Sequence, residues 1–345
     1  MTTSTLRSAE EGRRTARRPS PLVILPIGVA LILALSLATL CVGTPMLSPV
    51  EALSLLISPD GSQTAIVVQT LRLPRAVLAI GVGAALAVAG VVMQALTRNP
   101  LADPGILGVN AGASFAVVFA FVVLGVEAFD QTLWFAFAGA AAASVVVALL
   151  GAVGTSTSIA RLALAGVAVG AVLSGFTQAL SLVDPGDYSR IRVWEAGSLA
   201  ARDLSSSLIA LAAIAVGLII AFGSGRGLNL LVLGEDAAHT LGARVSRVRG
   251  LAFVCIVLLC GAATAAVGPV AFVGLLVPHA LRRFTGADQP RALLYSSLGG
   301  PVLILASDLI ARLVIAPREL PLGVVTAFLG APMLIVLVQR RRRGR

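Results

Sequence analysis

The sequence predicts an all-α, polytopic membrane protein with about ten transmembrane helices. Three observations carry this prediction: 57% of the 345 residues are hydrophobic, only 12% are charged, and the apolar residues stand in long runs. Soluble domains usually have about 25% charged residues, so this composition fits a bilayer better than water. Because the apolar runs do not alternate with period two, helices are favoured over a transmembrane β-barrel.

Ten apolar segments approach the length of about 20 residues that a membrane-spanning helix needs. Residues 1–20 are polar and rich in Arg, Ser and Thr, and we expect them to form a disordered, basic cytoplasmic tail. Residues 21–340 are expected to form one transmembrane domain, followed by a basic cytoplasmic tail at 341–345. The expected spans are 22–43, 74–97, 105–125, 132–153, 160–182, 204–222, 247–267, 270–284, 292–312 and 321–339.

The placement of arginine predicts the orientation of these spans. All 26 basic residues are Arg, and most of them fall in cytoplasmic segments if both termini lie inside the cell. This distribution satisfies the positive-inside rule, so we expect a multi-pass protein of a bacterial inner membrane, in contact with lipid. Because topology accounts for the basic residues, no nucleic-acid partner is expected. Arg72, Arg75 and Arg312 are exceptions that fall on the outer side.

A short sequence echo indicates an internal repeat. Residues Gly83–Gly90 read GAALAVAG, and residues Gly261–Gly268 read GAATAAVG. They lie in the second and seventh expected spans, so an offset of five helices would relate two halves of opposite orientation. Many transporters are inverted repeats of this kind. Chance similarity between two Gly/Ala-rich helices is the other interpretation.

The sequence lacks the residues that ATP hydrolysis, serine hydrolase chemistry and metal binding require. A P-loop needs a lysine that contacts phosphate, and the chain has no Lys. No GxSxG nucleophile motif is present, and three Cys and two His offer no metal-binding spacing. We therefore expect no catalytic residues, no metal site and no cofactor in this chain. Energy for any active transport has to come from a separate protein.

Five segments combine Gly or Pro with polar or charged residues at the ends of apolar runs. Such residues inside or beside membrane helices are candidates for function, because polar groups are costly there. One of the five, around residue 238, is a short polar stretch between two spans. The five segments are Arg72–Gly108, Leu233–Gly242, Gly268–Arg283, Ala306–Arg312 and Glu319–Pro332.

Together these segments resemble the FecCD-type permeases of ABC importers, in the family's order and spacing from about residue 66 to 338. The resemblance implies a ten-helix permease that pairs with a second permease subunit, identical or different. It also implies two cytoplasmic ATPase subunits, which carry ATP and Mg, and an extracytoplasmic substrate-binding protein. The expected cargo is an iron(III)–siderophore complex, moved by alternating access. Cobalamin and haem are the alternative cargoes within the family.

The resemblance assigns the coupling helix, which docks in a groove of the ATPase, to about residues 233–243. The residues agree with this role, since the segment is short, amphipathic and on the Arg-rich side. Its acids fall in the first turn, where the helix dipole favours negative charge. An ordinary solvated loop is the alternative. The implied coupling residues are Gly234, Glu235, Asp236, Ala238, Leu241 and Gly242.

Three arginines on the outer side correspond to docking residues in the family. Arg72, Arg75 and Arg312 match extracytoplasmic arginines that face glutamates of the binding protein in the cobalamin importer. Arginine suits this task because its planar fork pairs with carboxylates in a fixed geometry. Two alternatives are anchoring at lipid headgroups and an internal pair, such as Asp308 with Arg312 at i,i+4 spacing.

The family's cytoplasmic gate lies at the turn before the fifth helix, which corresponds here to Ser158, Ile159 and Ala160. The cobalamin importer has hydroxyl residues across this turn, whereas Ile159 and Ala160 depart from that pattern. An apolar constriction would close a pore by excluding water.

An ion-coupled secondary transporter is the alternative from another functional class. It needs a titratable group on the transport path, and Asp308 is the only acidic residue well inside an expected span. A membrane scaffold that transports nothing would explain the hydropathy but not the five segments.

Overall fold

The computed structural model describes residues 21–126, 129–152, 159–183, 191–200, 204–242, 244–316 and 318–343. These residues form helices joined by turns, with no strand among them. The α-helices are α1 (Pro21–Cys41), α2 (Pro49–Ile57), α3 (Gln63–Val67), α4 (Leu73–Thr97), α5 (Val109–Val122), α6 (Phe129–Ala152), α7 (Ile159–Ser181), α8 (Leu204–Leu233), α9 (Glu235–Thr240), α10 (Val245–Val267), α11 (Val273–Thr285), α12 (Gln289–Leu313) and α13 (Leu322–Arg343).

The predicted all-α, polytopic membrane fold is confirmed, but the count of ten spans is not. Seven helical segments within the described ranges are long and apolar enough to cross a membrane. Each expected span coincides with a helix, yet α5, α11 and the apolar part of α13 are shorter than the others. For α5 the reason is local: the Asp103–Pro104 step begins a separate 3-10 helix, Pro104–Leu107, in place of its first turns.

Two helices extend past their expected ends. Helix α8 runs on to Leu233, well past the expected end at residue 222, because Gly223, Gly225 and Gly227 do not interrupt it. Helix α13 continues to Arg343, although its apolar part ends at Val336. The expected tail at 1–20 lies outside the described residues.

Helix α4 is the centre of the bundle. Of its 25 residues, 18 are buried. It packs along α12 and also contacts α8, α10 and α11. Its sequence is rich in Ala and Gly, and small residues let membrane helices approach closely enough to gain van der Waals contact. The composition of α4 therefore sets how tightly its neighbours pack.

Each copy of the sequence echo has a glycine that faces a helix of the other half, with a closer approach at Gly83 than at Gly261. Gly83 of α4 faces Gly300 of α12, and Gly261 of α10 faces Ala140 of α6, whose Cβ lies 3.5 Å from a Cβ built on Gly261. Helices α6 and α12 are the fourth expected spans of the two halves. The exchange of partners between halves agrees with an inverted repeat, which stays an interpretation.

Replacement of Gly83 by Ala tests this packing. A Cβ at Gly83 would lie 2.5 Å from the backbone N of Pro301 and 2.6 Å from the carbonyl of Gly300, so α4 and α12 must move apart. We expect Gly83→Ala to lower the free energy of unfolding by about 1–3 kcal/mol. Thermal unfolding in detergent micelles measures this.

Gly175→Ala is the matched control. A Cβ at Gly175 of α7 meets no heavy atom within 4 Å, and alanine is the better helix former. Its stability should equal or exceed that of the wild type. Equal melting temperatures for Gly83→Ala and Gly175→Ala would contradict the close approach of α4 and α12.

Candidate functional site

Five charged side chains meet at one end of the bundle, and we call them the outer arginine cluster: Arg72, Arg75, Asp308, Arg312 and Glu319. Helix α3 passes through a π-helical segment, Val68–Arg72, into the first turn of α4, which carries Arg75. Asp308 and Arg312 lie one turn apart near the end of α12, and Glu319 lies in the connection from α12 to α13.

Arg75 is held between two carboxylates. Its Nε and Nη2 donate to Asp308 Oδ1 at 3.0 and 2.8 Å. Its Nη1 and Nη2 donate to Glu319 Oε1 and Oε2 at 3.1 and 2.8 Å. The two carboxylates differ in burial, since the side chain of Asp308 is 1% exposed and that of Glu319 is 39% exposed. Two-point pairing of this kind is among the strongest hydrogen bonding in proteins.

Arg72 and Arg312 hold the end of α1. Arg72 Nη1 donates to the carbonyl of Leu40 at 2.7 Å, and its Nη2 donates to the carbonyl of Pro45 at 2.6 Å. Arg312 Nη1 donates to the carbonyl of Thr39 at 3.1 Å, and its Nη2 donates to that of Val42. The last carbonyls of a helix have no partner within it, so the two arginines satisfy groups that would otherwise be unpaired in the membrane.

The structure therefore brings the three predicted arginines together. Arg72 and Arg312 are buried, and the internal i,i+4 pair that was the alternative to docking is present, with Arg312 Nη1 lying 3.8 Å from Asp308 Oδ2. Their role in docking a binding protein stays a prediction. Sequence reasoning did not include Glu319 in this site, although its place at the start of the fifth segment and on the outer side was a usable signal.

The predicted coupling segment lies at the opposite end of the bundle. Helix α9 covers Glu235–Thr240, shorter than the expected 233–243, because Gly234 and Gly242 have positive φ values of 112° and 79° and bound it. Glu235 and Asp236 fall in its first turn, as expected. Ala238 is fully buried, whereas the side chain of Leu241 is 62% exposed. The segment thus has a buried anchor at Ala238 and exposed apolar side chains at Leu233 and Leu241.

The end of α4 reaches this coupling segment. Arg98 ends α4 in a left-handed conformation with φ 49°. Its Nη1 lies 3.7 Å from the position of a Cβ built on Gly234. A single helix, α4, therefore runs from the outer arginine cluster to the start of the coupling segment.

The predicted gate residues are only partly described. Ser158 lies outside the described residues, and Ile159 and Ala160 open helix α7. Their role in a gate stays a prediction.

Polar residues inside the bundle bond to neighbouring backbone or to each other. Gln94 Nε2 donates to the carbonyl of Gly274 at 3.2 Å, and Thr264 Oγ1 donates to Asn110 Oδ1 at 2.9 Å. Asp103 caps the 3-10 helix by accepting a hydrogen bond from the N–H of Gly105 at 2.8 Å. The first two contacts join α11 to α4 and α5 to α10, whereas the third is local to the 3-10 helix.

Comparison with known proteins places these features in a family. The sequence matches the profile of the FecCD transport family over residues 31–340. It is 44% identical over 327 residues to the ferric enterobactin transport system permease protein FepD of Escherichia coli (strain K12), covering 94% of this chain and 96% of that protein. It is 38% identical to the Fe(3+)-citrate import system permease protein YfmD of Bacillus subtilis (strain 168), covering 88% and 90% of the two chains.

The fold has a counterpart among solved structures. A structure described as an inward-facing conformation of a metal-chelate type ABC transporter superposes with a TM-score of 0.82 at 27% sequence identity. The match covers 93% of this chain and 100% of that chain. The chain belongs to the FecCD transport family and is a multi-pass permease subunit of an ABC importer, not an enzyme.

Proposed function

We propose that this permease passes iron(III)–siderophore complexes across the bacterial inner membrane. The observation that carries the proposal is the 44% identity to a ferric enterobactin permease over nearly the full length of both chains. A siderophore surrounds its iron with organic ligands, so the permease recognises the shell of the complex and needs no metal ligands of its own. Cobalamin and haem are the alternative cargoes that an uptake experiment separates.

Asp308 does not favour an ion-coupled mechanism. A carboxylate that carries protons must exchange between charged and neutral forms on the transport path. Asp308 instead lies 2.8 Å from the guanidinium of Arg75 and 3.8 Å from that of Arg312, so its carboxylate is engaged in ion pairs that join α4 to α12. ATP hydrolysis by a partner is the energy source that we propose.

The proposed assembly has two permease subunits, two cytoplasmic ATPases with ATP and Mg, and an extracytoplasmic binding protein. Both termini lie in the cytoplasm, as the distribution of arginine supports. The segment from Gly234 to Gly242 docks on the ATPase, with Leu241 as its exposed apolar contact. Closure of the ATPase dimer then moves this segment, switches access to the cavity between the subunits, and opens the gate at 158–160.

On the outer side, the arginine cluster forms the proposed docking surface for the binding protein. Arg75 is the member placed to meet a partner carboxylate, because its second carboxylate partner, Glu319, is exposed. Arg72 and Arg312 lie behind it and fix the end of α1. Three arginines against two acids leave the cluster with one net positive charge, which favours an acidic partner surface.

An uptake experiment tests the cargo. The chain is expressed with its ATPase and binding protein in cells that lack their own siderophore, haem and cobalamin permeases. We expect uptake of radioiron as a ferric siderophore, and none in the presence of an ATPase variant that cannot hydrolyse ATP. Haem or cobalamin uptake without ferric-siderophore uptake would contradict the proposed cargo. Uptake that persists with the inactive ATPase and stops with an uncoupler would contradict the mechanism.

Leu241→Asp tests the coupling segment. A charge at this exposed apolar position should weaken contact with the ATPase, and we expect ATP hydrolysis stimulated by loaded binding protein to fall about tenfold, equivalent to about 1.4 kcal/mol. Leu241→Met keeps an apolar side chain of similar volume and should retain most of the activity. Capture of the siderophore by the binding protein should be unchanged in both. Wild-type stimulation in Leu241→Asp would show that the segment does not contact the ATPase as proposed.

A further inference from the structure

We propose that Glu319 occupies the position on Arg75 that a carboxylate of the binding protein takes in the docked complex. On docking, the partner's carboxylate replaces Glu319 as a ligand of the Arg75 guanidinium. This inference rests on the proposed docking surface. In the undocked permease Glu319 keeps Arg75 neutralised and oriented. In the docked complex the partner's carboxylate takes its place, and Glu319 turns to solvent.

The first observation is that the fork of Arg75 is fully occupied. Asp308 takes the edge formed by Nε and Nη2, and Glu319 takes the edge formed by Nη1 and Nη2. A guanidinium has only these two edges for two-point pairing with a carboxylate. A partner carboxylate can pair in this way only after one of the two leaves.

The second observation identifies which carboxylate leaves. Asp308 is inside helix α12, is 1% exposed and also lies 3.8 Å from Arg312. Glu319 lies in the connection between α12 and α13, is 39% exposed, and its other charged neighbour, Arg312, is 3.9 Å away. Asp308 would become a buried carboxylate with only Arg312 beside it if it left Arg75, whereas Glu319 is already partly in contact with water. Glu319 is therefore the exchangeable partner.

The third observation concerns charge. With Glu319 in place, the cluster has three arginines and two carboxylates; with Glu319 turned away, Arg75 faces outward with only Asp308 beside it. A partner glutamate or aspartate restores the original balance. Because one carboxylate replaces another, Arg75 keeps an ion pair of the same kind before and after docking.

The residues that follow Glu319 are hydrogen-bonded to the rest of the bundle. After Glu319, the N–H of Leu320 donates to the carbonyl of Ala311 at 2.9 Å, and the N–H of Leu322 donates to the carbonyl of Gly197 at 2.9 Å. Leu322 begins helix α13. The Glu319–Arg75 pair thus ties the start of α13 to the start of α4, and docking would release that tie.

Glu319→Gln is the central test, with Glu51→Gln as its matched control. Both changes remove one exposed negative charge from the outer side, but Glu51 of α2 lies outside the arginine cluster. The assembled transporter in lipid nanodiscs is titrated with its loaded binding protein. We expect Glu319→Gln to tighten the Kd about three- to tenfold, because an amide competes less well for Arg75. Glu51→Gln should change the Kd less than twofold, a shift within the scatter of exposed charges. Melting temperatures confirm that both variants fold.

Equal or weaker binding by Glu319→Gln than by Glu51→Gln would overturn the exchange. A separate arm tests the docking surface itself: a Cys41→Ser, Arg318→Cys variant is coupled to a polyethylene glycol maleimide at exposed position 318. If docking occurs here, the polymer blocks binding. Unimpeded binding by the coupled protein would mean that the docking surface is elsewhere, and the proposed function would fail at this site. Blocked binding together with an unchanged Glu319→Gln affinity would reject only the exchange.

Discussion

The ion pair between Arg75 and Asp308 is the contact on which the outer half of the bundle depends. A carboxylate that is 1% exposed inside a membrane protein is tolerated only when a cation and hydrogen bonds compensate its charge. Arg75 supplies both and thereby fixes α4 against α12. The same guanidinium binds Glu319, so the connection to α13 is held by the same group.

The central helix α4 joins the two candidate sites. Its first turn carries Arg75, and its last residue is followed by Arg98, which lies against Gly234 at the start of the coupling segment. Its 25 residues span about 37 Å at 1.5 Å per residue. Close approach to α12 at Gly83 keeps the helix in place. This deeply buried helix is a direct physical connection between the proposed docking surface and the proposed coupling surface.

Much of this architecture follows from the sequence, because apolar runs, glycines and prolines act locally. Hydropathy located a helix at every expected span, and Gly234 and Gly242 bounded the coupling segment close to its expected position. The contacts of the arginines did not follow, because Arg75 and Glu319 are 244 residues apart in the chain. Residue spacing predicted only the local pair of Asp308 and Arg312. The positive-inside rule identified the arginines as exceptions but gave no information on which carboxylates they bind.

The most direct test of the Arg75–Asp308 pair is a double-mutant cycle on the free energy of unfolding, with Arg75→Gln, Asp308→Asn and the double variant. Each single change removes one ion-pair partner, leaving Arg75 with Glu319 alone or Asp308 with Arg312 alone, and should cost about 1–3 kcal/mol. The double variant leaves two neutral amides that can bond to each other, so its loss should be smaller than the sum of the single losses by at least about 1 kcal/mol. Strictly additive losses would contradict the pair as the contact that holds α4 to α12.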